Sequence, residues 1–135
     1  MPTPAPTQAN PLRVLYVEDN RVNAILMQEA LRPHPHLEIT VVEDARSAIK
    51  WAHEYQADVL VLDAHLPDMD GLALLKALRA LPGVATTPAF MCSADAMPEE
   101  IQKAKSAGFE GYWTKPIDIR VIVRELSRLA QMKQT

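Results

Sequence analysis

Four side chains of this 135-residue chain could do metal or phosphate chemistry if the fold gathered them: the adjacent acids Glu18 and Asp19, the lone Asp63, and Lys115. Each follows a short apolar run. Glu18 and Asp19 come after Leu12 to Val17, Asp63 after Val59 to Leu62, and Lys115 after Gly111 to Thr114, while Ser93 stands in the same relation to Ala89 to Cys92. Two like unit charges about 4 Å apart repel by roughly 4 kcal/mol at an effective dielectric of about 20, so three gathered carboxylates require positive charge close by. Lys115 cancels one of them, and the remainder calls for a divalent cation. Oxygen-only ligands favour a hard ion, and a small site that also receives phosphate favours Mg²⁺ over Ca²⁺, with Mn²⁺ able to substitute. A carboxylate screened in this way can attack phosphorus, because charge neutralisation and in-line placement do most of the work in such transfers.

For these residues to meet, the runs that carry them must be neighbouring strands ending at the same edge. Short apolar runs alternate with helical patterns along the whole chain after residue 11. Strands are expected at Leu12 to Val17, Ile39 to Val42, Val59 to Leu62, Ala89 to Cys92 and Gly111 to Thr114. The unbroken apolar run at Val59 marks a strand covered on both faces. The first helix carries Val22, Ile25, Leu26 and Ala30 on one face behind Asn20, and Pro33 and Pro35 stop it. Asp44 caps a second helix with Ala45, Ala48, Ile49 and Ala52 inward. Leu72, Leu75, Leu78 and Ala80 or Leu81 face inward from a third, which ends at Pro82 and Gly83. Pro98, Glu99 and Glu100 suit the first turn of a fourth, closed by Gly108. Asp118 opens a fifth, with Ile119, Ile122, Val123, Leu126, Leu129 and Ala130 toward the core. Five βα units predict an α/β fold: a doubly wound, five-stranded parallel sheet. The first, third and fourth strands are the most apolar, which places them centrally in the order 2-1-3-4-5. Ligands in such sheets bind beyond the carboxyl ends of the strands, where Glu18, Asp19, Asp63, Ser93 and Lys115 stand.

Composition excludes several classes. A net charge of −3 lacks the basic excess that drives binding to phosphate backbones, so no direct nucleic-acid partner is expected. No apolar run approaches the ~20 residues that span a bilayer, so no membrane partner is expected either. Met1 to Pro11, with Pro2, Pro4, Pro6 and Pro11, reads as a flexible leader and lacks the pattern of a secretory signal, and 133–135 as a short tail. Cys92 is the one cysteine, expected to be buried and reduced, which points to a cytoplasmic setting.

The segments Val14 to Asn20 (VLYVEDN), Val59 to Leu72 (VLVLDAHLPDMDGL), Ser93-Ala94 and Tyr112 to Pro116 (YWTKP) resemble the signature of the receiver domain of two-component response regulators. The resemblance covers 12–132 and implies a flavodoxin-like receiver fold. It implies that Asp63 is the phosphoacceptor, taking a phosphoryl group from the phosphohistidine of a histidine kinase or histidine phosphotransfer protein. Glu18, Asp19, Asp63 and the backbone carbonyl of His65 would hold the metal. Lys115 would pair with the phosphoryl group, Ser93 would turn toward it, and Tyr112 would report that movement. The domain would act on itself rather than turn over a substrate, and would reach its downstream protein target through the face of the fourth helix, fifth strand and fifth helix. One hydrogen bond to a charged phosphoryl oxygen contributes ~1.5 to 3 kcal/mol, whereas a switch from ~1:99 to ~99:1 needs about 5.5 kcal/mol, so Ser93 needs the Lys115 pair and backbone donors beside it.

Small Ala64 and Leu66 depart from the family's usual bulky aliphatic and methionine, which bears on phosphate lifetime. His65 and Asp95, each two residues past a site residue, are expected to tune dephosphorylation by orienting water. A receiver that kept its shape and lost its chemistry would be a protein-interaction module. A flavin or dinucleotide protein is disfavoured by the absence of a Gly-rich or hydroxyl-rich loop after the first strand, and a haloacid-dehalogenase-like phosphatase by Arg21, which stands where a second aspartate would follow Asp19. His34 and His36 lack further ligands at metal spacing and are expected in a solvated loop.

Overall fold

A computed structural model describes residues 10–134; of the expected leader, residues 1–9 lie outside them. Among the described residues, five strands alternate with five helices. The strands are β1 (Leu12–Val17), β2 (Leu37–Val42), β3 (Val59–Asp63), β4 (Ala89–Ser93) and β5 (Gly111–Thr114). The helices are α1 (Arg21–Leu31), α2 (Ala45–Glu54), α3 (Gly71–Arg79), α4 (Pro98–Ala107) and α5 (Ile119–Gln134). The sheet is parallel throughout, in the order β2-β1-β3-β4-β5, as the apolarity of the strands predicts. No helix among the described residues is long and apolar enough to cross a membrane.

Every residue of β3 and β4 is buried because helices cover both faces. On one side Tyr16, Val61, Phe90, Cys92 and Trp113 meet Met27 and Leu31 of α1 and Ile122, Leu126 and Leu129 of α5. On the other, Leu15, Leu60, Leu62 and Met91 meet Ala45 and Ala48 of α2, Leu74, Leu75 and Leu78 of α3 and Ala104 of α4. Short polar side chains start four of the described helices: Asn20, Asp44 and Asp118, as expected, accept the N–H groups of Asn23, Ser47 and Arg120, and Asp70 accepts that of Ala73. Gly108 closes α4 at φ +109°, a conformation that costs other residues roughly 1 kcal/mol or more.

The inward face of α1 differs from the helical pattern. Val22, Ile25 and Leu26 are 64%, 47% and 58% exposed, while Ala24, Met27 and Leu31 are buried. At about 100° per residue the two sets form stripes on nearly opposite sides of one helix, and small Ala24 lets its first turn lie close to the sheet. In α3 Leu74 replaces Leu72 as a fully buried residue, and Ala80 is exposed. The helix α5 runs to Gln134, with Lys133 donating to Pro11 O at 2.9 Å and Asp58 Oδ2 at 2.8 Å where a tail was expected. His34 and His36 are half-buried rather than solvated: their rings meet edge to face at 5.7 Å, and His36 Nε2 lies 2.9 Å from Ser127 Oγ.

Candidate phosphoryl and metal site

Register alone brings the acids together. Val17 pairs with Leu62 across β1 and β3, so the next residues, Glu18 and Asp63, emerge side by side. On the other flank Asp63 pairs with Cys92 and Ser93 with Thr114, which sets Lys115 beside Ser93; its N–H donates to Ser93 O at 2.8 Å. The Lys115–Pro116 peptide is cis. Glu18, Asp19 and Asp63 each place a carboxylate oxygen within 4.8 Å of the others. Glu18 and Asp63 are buried, and Asp19 is exposed at the mouth.

Lys115 Nζ bridges the two buried acids, 3.1 Å from Glu18 Oε1 and 3.3 Å from Asp63 Oδ2. Glu18 also accepts the buried Tyr16 hydroxyl at 2.9 Å and the Asn20 N–H at 3.2 Å, and Asp63 Oδ1 accepts the His65 N–H at 3.3 Å. Burial and then the adjacent Glu18 push the Asp63 carboxyl up to about 6, against the pull of Lys115 and the His65 N–H. Burial works against ionised Glu18 as well, but its bonds from Asp63, Asn20, Lys115 and Tyr16 outweigh it and hold this carboxyl below the usual glutamate range. Burial opposes charge on Lys115 too, and the two acids more than compensate, holding the ammonium above its ordinary value. One ammonium cannot neutralise three carboxylates, and an all-oxygen donor set of this kind fits a hard divalent cation.

Ser93 is buried beside this cluster and its Oγ accepts the Asp95 N–H at 3.1 Å. Tyr112 is half-buried on the α4 side and its hydroxyl donates to Asp95 O at 2.6 Å, whereas Trp113 points the other way and stacks on Phe90 at 4.6 Å. Ala64, His65, Ser93 and Tyr112 share the wall of a cavity of about 120 Å³. His65 is exposed and the Asp95 carboxylate accepts the Met97 N–H at 2.9 Å; among the described residues no hydrogen bond or ion pair joins His65 to Asp95. Cys92 is fully buried and its thiol is pushed up to about 12 by burial, so it stays protonated and takes no part.

Two contributors escaped the sequence reading. Tyr16 sits two residues before Glu18, on the same face of β1, a period-2 signal visible in the sequence. The second is Gly71, where an added Cβ would stand 2.8 Å from Asp63 O; only glycine lets α3 start against the strand that carries Asp63. Beside Lys115, a groove of about 730 Å³ lined by Leu26, Met27, Ala30, Pro116, Ile117 and Ile119 runs between α1 and the start of α5.

A family model described as the response regulator receiver domain matches residues 14–127. The sensory/regulatory protein RpfC of Xanthomonas campestris is 31% identical over 121 residues, 88% of this chain and 16% of RpfC, so the chain spans about a sixth of that relative. The two-component response regulator ORR8 of Oryza sativa is 34% identical over 107 residues, 78% of this chain and 88% of ORR8. Among solved structures, the receiver domain of sensor histidine kinase PA1611 from Pseudomonas aeruginosa, with a magnesium ion coordinated in its active site cleft, matches with a TM-score of 0.79 at 27% identity, covering 90% of this chain and 98% of that one.

Proposed function

The chain belongs to the response regulator receiver domain family, and from that premise we propose that Asp63 is its phosphoacceptor. A carboxylate oxygen of Asp63 attacks the phosphorus of a phosphohistidine; the new O–P bond forms as the P–N bond breaks, and the imidazole leaves with the electron pair. Lys115 already touches Asp63 and is within reach of a phosphoryl oxygen on it. Mg²⁺, or Mn²⁺ in its place, would be held by Glu18, Asp19, Asp63 and the His65 carbonyl, and when bound supplies the remaining charge neutralisation for transfer. The single observation that carries this reading is the Lys115 ammonium lodged between Glu18 and Asp63 beside Asp19.

Ser93 then exchanges the Asp95 N–H for a phosphoryl oxygen, and Tyr112, bonded to the same loop, follows. That movement reaches the face formed by α4, β5 and α5, where a downstream protein binds. The domain is a switch without substrate turnover: water attacks phosphorus, releases phosphate and restores Asp63, at a rate tuned by His65 and Asp95. The donor, a histidine kinase or phosphotransfer protein, docks on the exposed Val22, Ile25 and Leu26 and the groove beside Lys115, an apolar surface adjoining the site. The one cysteine, buried and protonated, fits a reducing cytoplasmic setting.

Incubation with acetyl phosphate and Mg²⁺ followed by intact-mass spectrometry tests the core of this. One phosphoryl adduct is expected on the wild type and none on Asp63→Asn. Absence of any adduct on the wild type would leave a protein-interaction module of receiver shape.

A further inference from the structure

The N-terminus of α2 is held from outside its own segment. Asp44 accepts the Ser47 N–H at 2.7 Å, the ordinary capping bond. The two preceding donors, Ala45 and Arg46, go to Asp68, whose Oδ1 and Oδ2 accept them at 2.9 and 3.0 Å. These bonds hold the exposed Asp68 carboxyl below the usual aspartate range.

Asp68 lies in the loop between β3 and α3. That loop is tight: His65 bridges to Asp70, the Leu66 N–H reaches Met69 O at 3.3 Å, and the Gly71 N–H reaches Ala64 O at 2.9 Å. A fixed outer end therefore fixes its inner end, where the His65 N–H meets Asp63. The other acidic loop is tied to the same place, since the Glu18 N–H donates to Val42 O at 3.0 Å, and Val42 ends β2 just before Asp44. Tracing these bonds from Glu18 to Val42, through Asp44 to Ala45 and Arg46, and on to Asp68 and Asp63 closes a ring around the acidic cleft on the side away from Lys115.

We propose that Asp68 is a positioning residue for the cation site: by tying the loop after β3 to the N-terminus of α2, it holds Asp63 and His65 at a fixed spacing from Glu18 and Asp19. This rests on the reading of the cleft as a cation-assisted phosphoryl site. Its energetic consequence is coupling, because a donor set held at the required spacing loses less freedom when an ion binds. Coupling is reciprocal, so an ion in the cleft must in turn strengthen the Asp68 bonds to α2.

The test is an amide-shift titration of the full chain with MgCl₂, with hydrogen exchange read at Ala45 and Arg46. Asp68→Ala is expected to weaken Mg²⁺ binding about fivefold, the lower end of measured couplings, and Asp68→Asn, which keeps an accepting oxygen, to recover part of that. Asp44→Ala, which removes a charge and a cap from the same helix end without touching the loop, should change binding less than about twofold. Mg²⁺ should slow exchange at Ala45 and Arg46 in the wild type but not in Asp68→Ala. Equal affinities for wild type and Asp68→Ala, or an equal loss in Asp44→Ala, overturns the positioning role and leaves the phosphoacceptor reading intact. A wild type that binds no Mg²⁺ overturns both.

Discussion

The Ser93 hydroxyl accepts the Asp95 N–H at 3.1 Å, so an oxygen adjoining the acidic cluster also pins the loop that leads into α4. Tyr112 pins the same residue through its carbonyl. In the proposed switch Ser93 turns toward a phosphoryl oxygen and gives up this bond, so the 94–97 loop would be the first element to respond.

Ser93→Ala should therefore separate chemistry from switching. The Asp63 adduct from acetyl phosphate should still form, since neither Lys115 nor the acids are touched. Amide exchange in the 94–97 loop should already be fast in the unmodified variant and change little with beryllofluoride, whereas in the wild type it should change by about tenfold or more, the worth of one charge-assisted hydrogen bond. A full wild-type response in the alanine variant would remove Ser93 from the switch.

The acid pair sets a pH dependence in metal-free protein. Folded Asp63 titrates at about 6, above the value of about 3.9 for an unfolded aspartate, so between these values the folded state holds the extra proton and stability falls as pH rises. Glu18, held low, has the opposite sign: its contribution is present above its ordinary value of about 4.3 and is lost as pH falls below it. This pair places the maximum between about pH 4 and 5, with a decline of about 2 to 3 kcal/mol toward pH 7. Urea denaturation in a chelating buffer should show the decline in the wild type and not in Asp63→Asn, which has no proton to lose and should be the more stable protein at neutral pH.

Lys115→Met keeps the aliphatic stem and deletes the charge. Two buried carboxylates then lose their common cation, and stability should drop by about 1 to 3 kcal/mol at neutral pH without metal, short of the larger cost of a fully buried pair. Incorporation of phosphate from acetyl phosphate should slow by about 10²-fold or more, the usual cost of removing one preorganised stabiliser of transferred charge. A variant that labels at the wild-type rate would show that Lys115 serves folding only.

Strand order and the converging acids were legible because both follow from short-range facts: Val59 to Leu62 is apolar without interruption, and parallel register carries residues 18 and 63 to one edge. The tie made by Asp68 was not, since its partners lie 23 and 22 residues away in the first turn of α2 and an aspartate before a helix reads as a cap. Tyr112 and Trp113 could be assigned opposite faces by alternation, but which faced α4 waited on the stacking of Trp113 over Phe90. For α1 the pattern was misleading because apolar residues line both sides of the helix. Periodicity detects a stripe and cannot tell which of two stripes finds the sheet.

That second stripe is where the donor reading can be tested apart from the chemistry. Leu26 is 58% exposed and lies on the groove that opens beside Lys115. Because it is largely solvated already, Leu26→Asp should alter stability by no more than about 0.5 kcal/mol, the range for ordinary surface changes. Labelling by acetyl phosphate, which needs no docking surface, should proceed at the wild-type rate. Transfer from a phosphorylated histidine phosphotransfer protein should instead slow by about tenfold or more, since a carboxylate buried against apolar partner surface without a counter-ion is costly. If both donors react with the variant as they do with the wild type, the outward stripe of α1 is not the docking surface.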